Sequence, residues 1–127
     1  MTYETLQEAY KGVKNYPGLV KNLIALGISS YTIEVATGTG LYRAAAGENV
    51  IHQGVNVPRT IASKFDEQLT IRAIRDNQLG KSDYPQFLDD IAAAGVRFYE
   101  ATLDGENKRV TYIGIGGNYE EEIPSQP

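Results

Sequence analysis

The chain is predicted to be a two-layer α+β protein, an antiparallel-rich sheet with helices on one face. Three observations predict it. Pairs of helical apolar stripes precede segments of strand-like alternation, the order occurs twice, and the second occurrence lies 68 residues after the first. At 127 residues one core can bury roughly two-thirds of the unfolded surface, so a single domain over 1–127 is expected. Within it the internal repeat covers 3–57 and 66–123, each copy reading α-α-β-β(-β).

The copies align without a gap. Asn15-Tyr16-Pro17 stands over Asp83-Tyr84-Pro85, Leu26-Gly27-Ile28 over Ala94-Gly95-Val96, Tyr31 over Tyr99, and Val35 over Leu103. The match reaches back to Gly12 over Gly80 and Leu6 over Ile74. Each half is too small to bury its own stripe, so the two are expected to pair about a pseudo-twofold into one sheet.

The first helix of each copy spans Tyr3 to Lys14, with Leu6, Ala9, Tyr10 and Val13 on one side, and Asp66 to Gln78, with Leu69, Ala73, Ile74 and Asn77 on one side. Ser63 followed by Asp66 resembles a capping box for the latter. In the second, shorter helix Asn15 or Asp83 can accept from orphan N–H groups, Pro sits in the first turn where its missing donor costs little, and Gly27 or Gly95 ends the run. Leu19, Val20, Leu23, Ile24 and Leu26, and likewise Phe87, Leu88, Ile91, Ala92 and Ala94, form the apolar stripes.

Strands follow. Ser29 to Ala36 alternates Tyr31, Ile33 and Val35 against polar neighbours, and Arg97 to Asp104 alternates Tyr99, Ala101 and Leu103. Gly- and Asn-rich turns lead to hairpin partners at Leu41 to Ala46 and Lys108 to Ile115, then to Val50 to Val55 and Tyr119 to Ile123. Pro58-Arg59 marks the junction, and Pro124 to Pro127 reads as a frayed tail.

Tyr84-Pro85-x-Phe87, Ala92-Ala93-Ala94-Gly95-Val96-x-x-Tyr99, Val110-Thr111-Tyr112-Ile113-Gly114 and the ending Glu121-Glu122-Ile123-Pro124 carry a family resemblance. So does Leu26-Gly27-Ile28-x-x-Tyr31-Thr32-Ile33-Glu34. Together they resemble a bacterial domain-of-unknown-function family whose members are often labelled phage-envelope-like proteins. The resemblance spans about Pro17 to Pro124. It implies no activity, cofactor or catalytic residue, and the phage label concerns genomic context, not mechanism.

Composition excludes several chemistries. With no cysteine, disulfides, thiolate zinc sites, iron–sulfur ligation and a cysteine nucleophile are ruled out. No run of apolar residues is long enough to span a bilayer, and Met1 leads into polar Thr2-Tyr3-Glu4-Thr5, so a cytoplasmic protein is expected. Twelve Lys and Arg against sixteen Asp and Glu leave a net charge of −4, which offers no footprint for nucleic acid. No cofactor, metal or membrane partner is expected.

Candidate residues lie on the strands. Glu34 and Glu100 fall opposite Tyr31 and Tyr99 in register, and a pseudo-twofold could bring the two carboxylates together as an acid–base pair. Arg43 and Arg109 fall on the polar register if Tyr42 and Tyr112 point to the core, so cross-strand Glu–Arg pairing on a solvated face accounts for all four. His52, the one histidine, sits in a strand and reads as structural or superficial. No serine lies in a nucleophile elbow. Gly38-Thr39-Gly40 and Gly114-Ile115-Gly116-Gly117 join strand to strand and are turns, not phosphate cradles. Nine tyrosines without tryptophan point to packing at the layer edge or to anchors at an interface, and Glu120-Glu121-Glu122 to a guarded sheet edge.

Two functional readings result. The leading one is a non-enzymatic interaction module whose open sheet face, with Glu34, Arg43, Glu100, Arg109, Tyr42 and Tyr112 as candidate surface, forms a homodimer or holds a protein partner. The other is a small acid–base enzyme using Glu34 and Glu100, with Tyr42 or Tyr112, in a cleft between the repeats.

Overall fold

Side-chain caps decide where the helices begin. In the computed structural model, which describes residues 2–13 and 15–124, α1 (Tyr3–Tyr10) starts at a reciprocal pair. The Thr5 N–H donates to Thr2 Oγ1 at 3.2 Å and the Thr2 N–H donates to Thr5 Oγ1 at 2.9 Å. α2 (Tyr16–Ala25) starts at Asn15, whose Oδ1 accepts the Gly18 N–H at 2.9 Å, and α4 (Tyr84–Ala93) at Asp83, which accepts the Gln86 N–H at 2.9 Å. Pro17 and Pro85 occupy the first turns, as the sequence predicts.

The first helix of each half departs from expectation. α1 stops at Tyr10 because Lys11 is already extended (ψ 133°), so the apolar spacing that reaches Val13 is not continued as helix. The predicted end at Lys14 lies outside the described residues. α3 (Glu67–Gln78) is capped by Asp66 itself, which accepts the Leu69 N–H at 3.0 Å, in place of a Ser63–Asp66 box. Its buried side is Thr70, Ala73 and Ile74, while Leu69 is exposed. Ile24 on α2 is exposed as well, because that stripe is narrower than its spacing suggested.

The strands are β1 (Ile28–Glu34), β2 (Thr39–Ala44), β3 (Asn49–His52), β4 (Val96–Thr102), β5 (Arg109–Gly114) and β6 (Gly117–Glu122). They form one antiparallel sheet in the order β3-β2-β1-β4-β5-β6. The element order α-α-β-β-β thus occurs twice along the chain. The two runs meet at the β1–β4 seam, where Ser30 pairs with Thr102, Thr32 with Glu100 and Glu34 with Phe98. Val35 donates to the Arg97 carbonyl at 3.0 Å and Leu103 to the Ser29 carbonyl at 2.9 Å, closing the seam at both ends.

All four helices lie over one face. Tyr31, Ile33, Val35, Tyr99, Ala101 and Leu103 from the seam strands join Leu23, Ile74, Phe87, Leu88 and Ile91 in a single cluster that draws on both halves of the chain. Alternation along each strand leaves the opposite face to polar side chains and a few apolar ones, among them the register pairs Leu41–Ile51 and Phe98–Ile113. The fold is therefore α+β, as predicted. No helix among the described residues is long and apolar enough to cross a membrane.

The connection from β3 to α3 is tied down at many points. The Arg59 N–H donates to the Ala36 carbonyl at 2.7 Å, and its guanidinium meets Asp89 at 2.7 Å. Ala62 donates to the Ala92 carbonyl at 2.9 Å, Phe65 to Ile115 at 3.2 Å and Asp66 to Ala94 at 2.8 Å. This path separates two glycines that look alike locally. Gly27 (φ 89°) and Gly95 (φ 84°) each end a short helix, but a Cβ on Gly27 would meet nothing, whereas one on Gly95 would lie 2.4 Å from the Lys64 carbonyl oxygen.

Gly27→Ala is therefore expected to cost roughly 1 kcal/mol, the strain of a left-handed alanine. Gly95→Ala should cost at least about 3 kcal/mol, since the backbone of 64–65 must also move. Urea midpoints of the two variants test this, and equal shifts would contradict it.

Candidate functional site

Period-two alternation sends Arg43, Arg109, Glu34 and Glu100 to the uncovered face, and Tyr42 and Tyr112 to the helix side. The six candidates therefore never share a surface. The face is built in rows that follow the register. One row runs Ile51, Leu41, Thr32, Glu100, Thr111, Glu120, and its neighbour Asn49, Arg43, Ser30, Thr102, Arg109, Glu122.

Arg43 is held from below. Its Nη2 donates to Thr32 Oγ1 at 2.8 Å, its Nη1 to Ser30 Oγ at 3.3 Å, and Nη1 lies 3.9 Å from Glu100 Oε2, so the guanidinium reaches over β1 to β4. Thr32 Oγ1 in turn donates to Glu100 Oε2 at 3.3 Å. Arg109 faces the other way, with Nε 3.6 Å from Glu120 Oε1, which also accepts from Thr111 Oγ1 at 3.0 Å. These exposed pairs each contribute about 0–1 kcal/mol, so they shape the surface more than they stabilise the fold.

Glu34 departs from the expected Glu–Arg pairing. Its neighbours in register are Thr39 and Phe98, and among the described residues it forms no ion pair. Nor does the seam bring the two carboxylates together, because Glu100 stands opposite Thr32 and Glu34 opposite Phe98, two positions along the strand. Two clefts beside the helices are lined by other residues. One, of about 400 Å³, lies between Val20, Lys21 and Ile24 of α2 and Asn107, Lys108 and Ile123, and the other, of about 280 Å³, beside Arg59 and Asp89. No group of three or more His, Asp and Glu among the described residues converges as a metal site. His52 closes β3 and packs its ring against Tyr3 at 5.6 Å.

Under the helices the tyrosines form a layer of paired hydroxyls. Tyr10 bonds Tyr42, Tyr16 bonds Tyr31, and Tyr84 bonds Tyr99 at 2.7 Å, so three helix tyrosines each meet a strand tyrosine. The rings stack across strands, Tyr31 on Tyr42 at 5.0 Å and Tyr99 near Tyr112 at 5.3 Å. Burial from water raises the strand hydroxyls of Tyr31, Tyr42, Tyr99 and Tyr112 above the ordinary tyrosine range, and pushes Tyr84 up to about 12 against the lowering effect of its bond to Tyr99. At neutral pH they are uncharged donors and acceptors, suited to fixing the layers and not to taking a proton. The matched positions of Tyr16 and Tyr84, and of Tyr31 and Tyr99, were the signal in the sequence. Tyr10–Tyr42 is matched only in part, since Tyr112 takes the place of Tyr42 in the register but Gln78 stands where Tyr10 would recur.

The sign of the alkaline response follows. An unfolded tyrosine loses its proton near pH 10, while the buried ones keep theirs, so their contribution is intact below about pH 9 and falls above pH 10. Stability should therefore fall as the pH rises above about 10, because burial holds the strand tyrosines protonated in the fold. Tyrosinate absorbance and circular dichroism should change together in one cooperative step. Free titration of all nine near pH 10 with the fold intact would contradict the burial.

Residues 4–119 match the model of a family described as "Protein of unknown function (DUF1398)". Over 105 residues the chain is 30% identical to the uncharacterized proteins Rv2012 and MT2067 of Mycobacterium tuberculosis and Mb2035 of Mycobacterium bovis. The match covers 81% of this chain and 62% of each relative, so the chain spans under two-thirds of the length of the relatives it matches. With nearly all of the sheet and of the four helices inside the matched span, the chain belongs to the DUF1398 family.

Proposed function

We propose that the chain is a non-enzymatic interaction module whose uncovered sheet face docks a protein partner. The observation that supports this most is the contrast between the two faces. Helices seal one, while the other offers Leu41, Ile51, Phe98 and Ile113 among arginine, threonine and glutamate side chains already oriented by their neighbours. Six strands about 4.8 Å apart and roughly 20 Å long give a surface of several hundred Å², the scale of one side of a modest interface. Arg43, held by Ser30, Thr32 and Glu100, would bind with little loss of side-chain freedom.

A different protein suits this face better than a second copy. A copy laid face to face about a twofold along the strands, centred on the seam, sets Arg43 over Arg109. A twofold across the strands sets Glu100 and Glu120 over themselves. Either juxtaposition costs electrostatic energy. The acid–base reading has less support, because Glu34 and Glu100 stand on one face and Tyr42 and Tyr112 on the other. We also read the two halves as copies of one unit related by a pseudo-dyad, supported by Thr32 and Glu100, 68 residues apart, standing directly opposite each other at the seam.

Hydroxyl-radical footprinting compares the protein inside the cells that produce it with the purified chain. The proposal expects Leu41, Phe98 and Ile113 to be protected several-fold in cells, while the exposed helix-side residues Leu69 and Leu79 react equally in both. Equal labelling of the open face in both settings would count against it.

A further inference from the structure

We infer that the outer edge of β3 is a self-association edge, where a second copy adds its own β3 in antiparallel pairing. This goes beyond the face-docking reading and uses the backbone of the sheet edge, which borders the open face at Ile51.

The sheet has two edges, β3 and β6, and they differ in how they are guarded. β6 carries Glu120, Glu121 and Glu122 in succession, so pairing it with itself would oppose carboxylates across the new ladder. β3 has no such guard. From Asn49 to Pro58 the chain holds no Asp, Glu, Lys or Arg, and Ile51 (55%), Val55 (52%) and Val57 (81%) are exposed. Its length of four residues limits affinity without preventing pairing.

Hydrogen-bond phase makes the edge usable. The Ala44 N–H donates to the Glu48 carbonyl at 2.7 Å, which makes 44 and 48 a bonded pair. Alternation then turns the N–H and C=O of Val50 and His52 inward to β2, and those of Asn49 and Ile51 outward. An antiparallel copy centred on Val50 sets Asn49 of each chain opposite Ile51 of the other. Each such pair exchanges two backbone bonds, so four form in all, with neutral side chains opposed at both and His52 of each chain opposite Glu48 of the other. Dimerisation would join two open faces into one continuous surface without covering either.

The edge is small, so a weak dimer is expected, with a dissociation constant on the order of 10⁻⁵ to 10⁻⁴ M. Sedimentation equilibrium of the full chain across that range should show a monomer–dimer equilibrium. Ile51→Lys, at an exposed site and with its fold checked by circular dichroism, should weaken it at least ten-fold, and Glu122→Gln on the far edge should leave it unchanged. In hydrogen exchange at rising protein concentration, the amides of Asn49 and Ile51 should gain protection while those of Val50 and His52 do not. A monomer at every concentration, or a dimer insensitive to Ile51→Lys, would overturn the inference. So would a dimer broken by Phe98→Glu instead, which would place self-association on the open face and refute the choice of a different protein there.

Discussion

The structure depends on the antiparallel seam between β1 and β4. Five residue pairs, from Ser30 with Thr102 to Glu34 with Phe98, turn two three-stranded meanders into one six-stranded sheet. Without the seam, the edges of β1 and β4 would open and each pair of helices would cover a platform half as wide. A unit of about 60 residues buries a smaller share of its surface than one of about 120, so each half alone would be marginal. The most deeply buried side chains reflect this sharing. Leu23, Val35, Ile91, Val96 and Leu103 come from both halves and join one cluster.

Much of this was legible because the signals were local. Asn15 and Asp83, each two residues before a proline, announce helix starts, and alternation through Tyr31, Ile33 and Val35 or Tyr99, Ala101 and Leu103 identifies core strands. What escaped depends on neighbours distant in sequence. The spacing of Ala9, Tyr10 and Val13 suits a helix, yet the backbone leaves it at Lys11. Among the described residues Glu34 pairs with no arginine, because its register neighbours are Thr39 and Phe98. Gly27 and Gly95 read alike, but only Gly95 lies under the connection from β3 to α3. That connection has no periodic pattern, and its role rests on bonds from Arg59, Ala62, Phe65 and Asp66 to residues far along the chain.

The two faces of the sheet differ in what their side chains contribute to the fold. On the closed face, tyrosine hydroxyls meet in pairs between layers, which satisfies polar groups that would otherwise be costly to bury. Packing at the layer edge is a role the sequence already offered for the tyrosines, and Tyr42 and Tyr112, the two considered there for chemistry, are buried on this face. On the open face, arginine, threonine and glutamate stabilise little but hold one another in place through hydrogen bonds. The edges extend the contrast, one acidic and one neutral.

Native-state hydrogen exchange across the seam tests the central claim most directly. The amides of Val35 and Leu103, which donate across it, report the free energy of separating β1 from β4. If the seam holds one cooperative unit together, both should exchange only through global unfolding, with the same free energy and denaturant dependence as core amides of β2 and β5. Exchange of the amides of 28–52 through a separate, cheaper opening that leaves 96–122 protected would show two independent halves, and the account would be wrong.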